Sequence, residues 1–154
     1  MELNLPESVV YEKRGPIAII TMNRSEAMNS LTKEMLIGLE AAFDDFEADP
    51  ALHVAIFTGA GERAFCTGLD LKVALPALND GDAMGYEDPA KRPFQRNFKP
   101  IITAVNGVCV AGGLEFMLGT DIRIAAEHAK FGLAAVRWAV VPAGGSHIRL
   151  PQQV

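Results

Sequence analysis

Glu115, Gly112 and Leu69 have the types and spacing for proton transfer beside a carbonyl group. Glu115 falls in the first turn of a helix expected over 112–119, directly after Ala111-Gly112-Gly113. Glycines that close a strand and open a helix aim free backbone N–H groups ahead of them, where they can hold an anion. Upstream, Phe65-Cys66-Thr67-Gly68-Leu69-Asp70 places a glycine before Leu69, which allows the Leu69 N–H to turn outward. Together the N–H groups of Leu69 and Gly112 suit a two-donor oxyanion hole, with Glu115 as proton carrier one turn away. Plainer readings stand beside these. Gly68 also fits an ordinary strand-to-helix turn, and Glu115 a carboxylate facing its own helix dipole.

Several elements have to position these groups. Val9 to Glu12 and Ile17 to Met22 read as short strands joined by a turn at Arg14-Gly15-Pro16. Ser30 or Thr32 then caps an amphipathic helix to about Glu47, with Met35, Leu36, Leu39 and Phe43 on one face. Asp49-Pro50 stops it, and Val54 to Thr58 follows as a buried strand. A second buried strand is expected at Ile101–Val105, then the 112–119 helix, a strand at Ile122–Ala125 and a short one near Lys130-Phe131. The polar stretch from Asn79 to Asn97 reads as a mobile loop inside a single domain spanning 1–154.

Other chemistries are poorly served. Gly59-Ala60-Gly61-Glu62-Arg63-Ala64 has the form of a dinucleotide fingerprint, but Ala64 to Gly68 interrupts the helix that it would need to open. His53, His128 and His147 lack metal-ligand spacing, so no metal is expected. Ser146-His147 lies outside any nucleophile elbow, and Cys66 has no base near it in sequence. Trp138 reads as core or interface packing. A net charge of −5, with a short basic stretch at Lys91–Lys99, argues against nucleic acid. Two cysteines form no disulfide framework, the start of the chain does not read as a signal peptide, and no apolar run approaches the ~20 residues of a membrane span. A cytoplasmic protein is expected.

Four ordered motifs then act together. They are Asn23-Arg24 with Asn29-Ser30-Leu31; Ala64-Phe65 with Gly68 and Asp70-Leu71; Lys99-Pro100-Ile101 with Thr103-Ala104-Val105-Asn106-Gly107; and Gly112-Gly113 with Glu115. From about Val9 to Leu150 the chain resembles the enoyl-CoA hydratase/isomerase family, the crotonase superfamily. That resemblance implies an α/β fold of the ClpP/crotonase type, a spiral of strand-strand-helix units. It implies that Leu69 and Gly112 bind the thioester oxygen and that Glu115 handles the water added across a double bond. Ala27, Ala64, Gly68, Asp70, Leu71 and Lys72 would line the substrate site, with backbone near Ala27, Ala64 and Leu71 on the adenine and pantetheine portions. The ligand would be an acyl-CoA thioester, with coenzyme A entering as part of the substrate and no separate cofactor. Relatives form trimers or hexamers, so a homo-oligomer is expected.

Departures from the pattern matter to the chemistry. Ser25 replaces a frequent proline, and Ala111 takes the first place of a frequent triple glycine. Ala135 stands where hydratases carry a second glutamate, while Pro142 and Gly144-Gly145 fall where the family has them. The resemblance implies a helical C-terminal region in full-length relatives, and the sequence ends at Val154, where that region would be expected to begin. Two functions remain: an enzyme of hydratase or isomerase type using Glu115, or an acyl-CoA-binding scaffold without turnover.

Overall fold

The computed structural model describes residues 3–81 and 96–154. Strands β1 (Val9–Arg14) and β2 (Ile17–Met22) form an antiparallel hairpin, with Arg14 opposite Ile17. Helix α1 (Lys33–Ala48) begins at Thr32, whose hydroxyl accepts the Met35 N–H at 3.3 Å. It buries Met35, Leu36, Leu39, Ala42, Phe43 and Phe46 against the sheet, which extends the apolar face expected from its spacing.

From β3 (Val54–Gly59) onward the chain repeats one move. It runs along a first sheet, crosses to a second, and returns through a helix. β3 leads to β4 (Ala64–Cys66) and α2 (Leu71–Asn79); β5 (Ile101–Val105) leads to β6 (Val108–Val110) and α3 (Gly112–Leu118); β7 (Ile122–Ala125) leads to β8 (Lys130–Gly132). The first sheet has the order β1-β2-β3-β5-β7 and is parallel apart from β1. The second is a parallel triplet, β4-β6-β8. This is the crotonase-like spiral of strand-strand-helix units that the motifs imply. After β8 come a short 3-10 turn, Ala135–Trp138, and helix α4 (Ser146–Gln153).

Phe57 on β3 joins the layers. Its ring meets Phe43 of α1 and Phe65 of β4 edge-on at centroid distances of 5.3 Å each, and Phe116 of α3 at 6.2 Å. Aromatic pairs in this geometry contribute about 0.5–1.5 kcal/mol each beyond their buried area. Polar clamps fix the strand entrances. Lys99 Nζ donates to the carbonyls of Phe46 and Asp49 at the end of α1, and the Asp121 carboxylate accepts the Ile101 N–H at 2.8 Å.

Two elements lack a sequence expectation: 64–66 forms strand β4, and the residues after Asp70 form α2 although Pro76 lies inside it, so Gly68 does lie between a strand and a helix. Trp138 was expected in core or interface packing; at 60% exposure it is no part of the core. Most of the expected 79–97 loop and of the Lys91–Lys99 stretch lies outside the described residues. No described helix is long and apolar enough to cross a membrane.

Candidate active site

Two glycine turns at the ends of neighbouring strands of the second sheet build the site. β4 and β6 pair with Cys66 opposite Cys109, so the turns that follow them lie side by side. Gly68 has φ +85, and a Cβ there would stand 2.8 Å from Ala111 Cβ and 3.0 Å from Gly112 N. Only a glycine fits both the angle and the approach. Gly68→Ala should therefore cost about 1–3 kcal/mol, read as a lower urea midpoint than that of the parent.

Leu69 is held by a parallel bridge to Leu31. The Leu31 N–H donates to Gly68 O at 2.8 Å, and the Asp70 N–H donates to Leu31 O at 2.9 Å. In such a bridge the middle residue's own N–H points to the opposite side. Among the described residues nothing accepts the Leu69 N–H. The same holds for Gly112, which as the first residue of α3 has no acceptor within its own helix. Ala111, just before it, adopts φ 49 and ψ −124. Its N–H donates to Gly132 O at 2.9 Å, which ties the start of α3 to β8.

Glu115 is 8% exposed. Its Oε1 accepts the N–H of Gly144 at 2.8 Å, the N–H of Ser146 at 3.2 Å and the Ser146 hydroxyl at 2.8 Å. The carboxylate thus sits beside the N-terminus of α4, held by the turn that opens that helix. Glu115 also lies in the first turn of its own helix, α3, as its place in the sequence leads one to expect. Sequence reasoning missed Ser146, 1% exposed and aimed at Glu115, because the contact spans 31 residues. His147 beside it is exposed.

The remaining expected residues surround these turns. Ala27 ends a 3-10 turn in which its N–H donates to Arg24 O at 3.0 Å and its carbonyl accepts the Ser30 N–H at 3.1 Å. Ala64 is 1% exposed, and its carbonyl accepts from the side-chain amides of Asn29 and Asn106. Asp70 pairs with Arg24 at 3.2 Å and accepts the Lys72 N–H at 3.3 Å, so it anchors the start of α2. Leu71 and Lys72 open that helix, Leu71 half-buried and Lys72 exposed. Asn29 carries a role that its motif alone did not reveal. Its amide also donates to Ala60 O, and its Oδ1 accepts the Arg24 N–H, which locks the 24–30 turn to the loop before β4.

Other chemistries find little here. Burial pushes the Cys66 thiol up to about 12, so it is protonated at neutral pH and is no nucleophile. Burial pushes Cys109 up to about 12 as well, with Cys66 beside it adding to the rise. His128 lies within 3.2 Å of the backbone carbonyls of Glu62 and Asn106. Among the described residues no group of three or more His, Cys, Asp or Glu could hold a metal ion.

The two-sheet spiral of strand-strand-helix units is that of the crotonase-like class. The profile of the enoyl-CoA hydratase/isomerase family matches residues 12–154, and the chain belongs to that family. It is 42% identical to an enoyl-CoA hydratase of Mycobacterium tuberculosis over 97% of this chain, and 40% identical to the (E)-benzylidenesuccinyl-CoA hydratase of Thauera aromatica over 95%. The chain spans 57% of the length of each. The crystal structure of an enoyl-CoA hydratase from Mycobacterium marinum superposes with a TM-score of 0.82 at 37% identity, covering 97% of this chain and 57% of that one. A carnitinyl-CoA dehydratase from Mycobacterium avium superposes at 0.85 and 33% identity, covering 97% and 59%.

Proposed function

We propose that this chain binds an acyl-CoA thioester, with its carbonyl oxygen between the N–H groups of Leu69 and Gly112, and that Glu115 moves a proton at the adjacent carbon. The observation that carries the proposal is the pair of unpartnered N–H groups beside a buried, firmly held carboxylate. Removing an α-proton from a thioester leaves an enolate, whose charge settles on the oxygen that the two donors face. Preorganised donors stabilise such a charge strongly, because they need no reorientation as it develops. Coenzyme A arrives as part of the substrate, with Ala27, Ala64, Gly68, Asp70, Leu71 and Lys72 forming the surround that receives it. The names of the relatives, hydratases and a dehydratase of CoA esters, support this substrate class.

Ala135 decides which reaction is favoured. It opens the turn three residues after Gly132, whose carbonyl is bonded to Ala111 at the start of α3. A methyl group carries no proton, so the assisted addition of water that uses two carboxylates loses one of them. One carboxylate still suffices to move a proton between two carbons on the same face, which favours isomerase-type chemistry over hydration. The test measures crotonyl-CoA binding and turnover on one preparation, alongside Ala135→Glu. Binding with slow hydration is expected, and Ala135→Glu should raise hydration at least about tenfold. Fast hydration by the parent would overturn the reading of Ala135, and absence of both binding and turnover would overturn the function. Binding without any proton transfer in either protein would favour a scaffold.

Assembly with further copies fits the surface. Ile122 and Ile124 on edge strand β7 are 52% and 62% exposed, and Phe131, Val136 and Val141 are exposed beyond it. Apolar groups in such number support a covered face in a homo-oligomer.

A further inference from the structure

We infer that Ser146 is a positioning residue for proton transfer: it fixes the Glu115 carboxylate so that Oε1 is occupied and Oε2 is the oxygen that carries the proton. The inference rests on the proposed acyl-CoA reading and adds to it a residue and an atom.

All three described hydrogen bonds to the carboxylate end on Oε1, from the Gly144 N–H, the Ser146 N–H and the Ser146 hydroxyl. Among the described residues none ends on Oε2. A carboxylate oxygen offers about two lone pairs, so three donors exhaust Oε1 as a base. The two backbone donors belong to the turn and would be there with any residue at 146. The hydroxyl is the contribution of this side chain, and at 1% exposure water cannot easily replace it. The bond also restrains rotation of the carboxyl group, because two donors from residue 146 and one from residue 144 hold the same oxygen. Gly144 completes the seat. A Cβ there would stand 2.8 Å from Oε2 and 2.9 Å from the carboxyl carbon, so any larger residue would push the group out of place.

In the reaction the α C–H bond breaks, its proton passes to Oε2, and its electron pair moves to the thioester oxygen. In D2O the reverse step returns a deuteron to carbon. The experiment follows deuterium incorporation into butyryl-CoA by NMR for the parent, Ser146→Ala and Ser146→Thr, and records the Glu115 carboxyl carbon resonance in 13C-glutamate-labelled protein, assigned by its loss in Glu115→Gln. Hydrogen bonds to charged groups are among the stronger ones. Ser146→Ala should therefore lower the limiting exchange rate about tenfold or more, leave the half-saturating butyryl-CoA concentration within about twofold, and shift the resonance. Ser146→Thr, which keeps the hydroxyl, should restore both rate and resonance.

Unchanged exchange in Ser146→Ala, or an effect confined to half-saturation, overturns the role of Ser146 while leaving the acyl-CoA reading intact. Absence of binding and exchange in the parent overturns the acyl-CoA reading instead. The resonance then judges the positioning contact alone, and a Glu115 signal that is identical in the parent and Ser146→Ala overturns that too.

Discussion

Glu115→Gln should fold as well as the parent and lose at least about 10²-fold in α-proton exchange, within the range of about 10²–10⁴ typical of a lost acid or base. The fold should survive because the amide can keep its carbonyl oxygen where Oε1 now accepts Gly144 and Ser146. Its NH2 group then takes the place of Oε2, which has no donor to clash with among the described residues. Shape and polarity are kept, and only the ability to take up a proton is lost. An unchanged urea midpoint with collapsed exchange is the expected pattern. Exchange at the parent rate would remove Glu115 from the chemistry.

Gly112→Pro is the second large effect. It deletes the N–H of the first residue of α3, a position where proline costs no intrahelical hydrogen bond. Glu115 stays in place, so the loss of about 10²–10³ in rate is assigned to the missing oxyanion donor. Proline also restricts the residue before it, and Ala111 already has unusual angles. Circular dichroism and butyryl-CoA binding must therefore accompany the rate. A folded variant that binds and still turns over at the parent rate would show that Gly112 holds no oxyanion.

The strands of the first sheet were legible because they are long enough to show a pattern. β2 and β3 alternate inward and outward over six residues each, and β5 is a run of apolar residues and a threonine closed by Asn106-Gly107. A cap at Ser30 or Thr32 was legible from its place before an amphipathic run, and the structure puts it at Thr32. The division into two sheets was not. β4 and β6 have three residues each, too few for any period, and their pairing joins segments more than forty residues apart. Helix α2 was hidden by Pro76, which reads as a breaker although the helix accommodates it. Around the candidate site, the turn at Gly68 and the start of α3 at Gly112 were legible because backbone geometry leaves a signature in residue type. Ser146 was not, since its meaning comes entirely from the carboxylate that it meets across the fold.

Ala111 gives the site a property that its family's more frequent glycine would not. A residue with a Cβ at φ 49 and ψ −124 is held against its own preference, at a cost of about 1–3 kcal/mol that the surrounding packing must meet. A glycine could reach the same angles freely and could also leave them freely, letting the peptide plane between residues 111 and 112 flip over. That plane carries the Gly112 N–H. With alanine, the flip has few comfortable destinations, and the bond from Ala111 N–H to Gly132 O closes off more of them. The Gly112 N–H is thus aimed by torsional confinement, and a little stability is given up for an amide that keeps one direction.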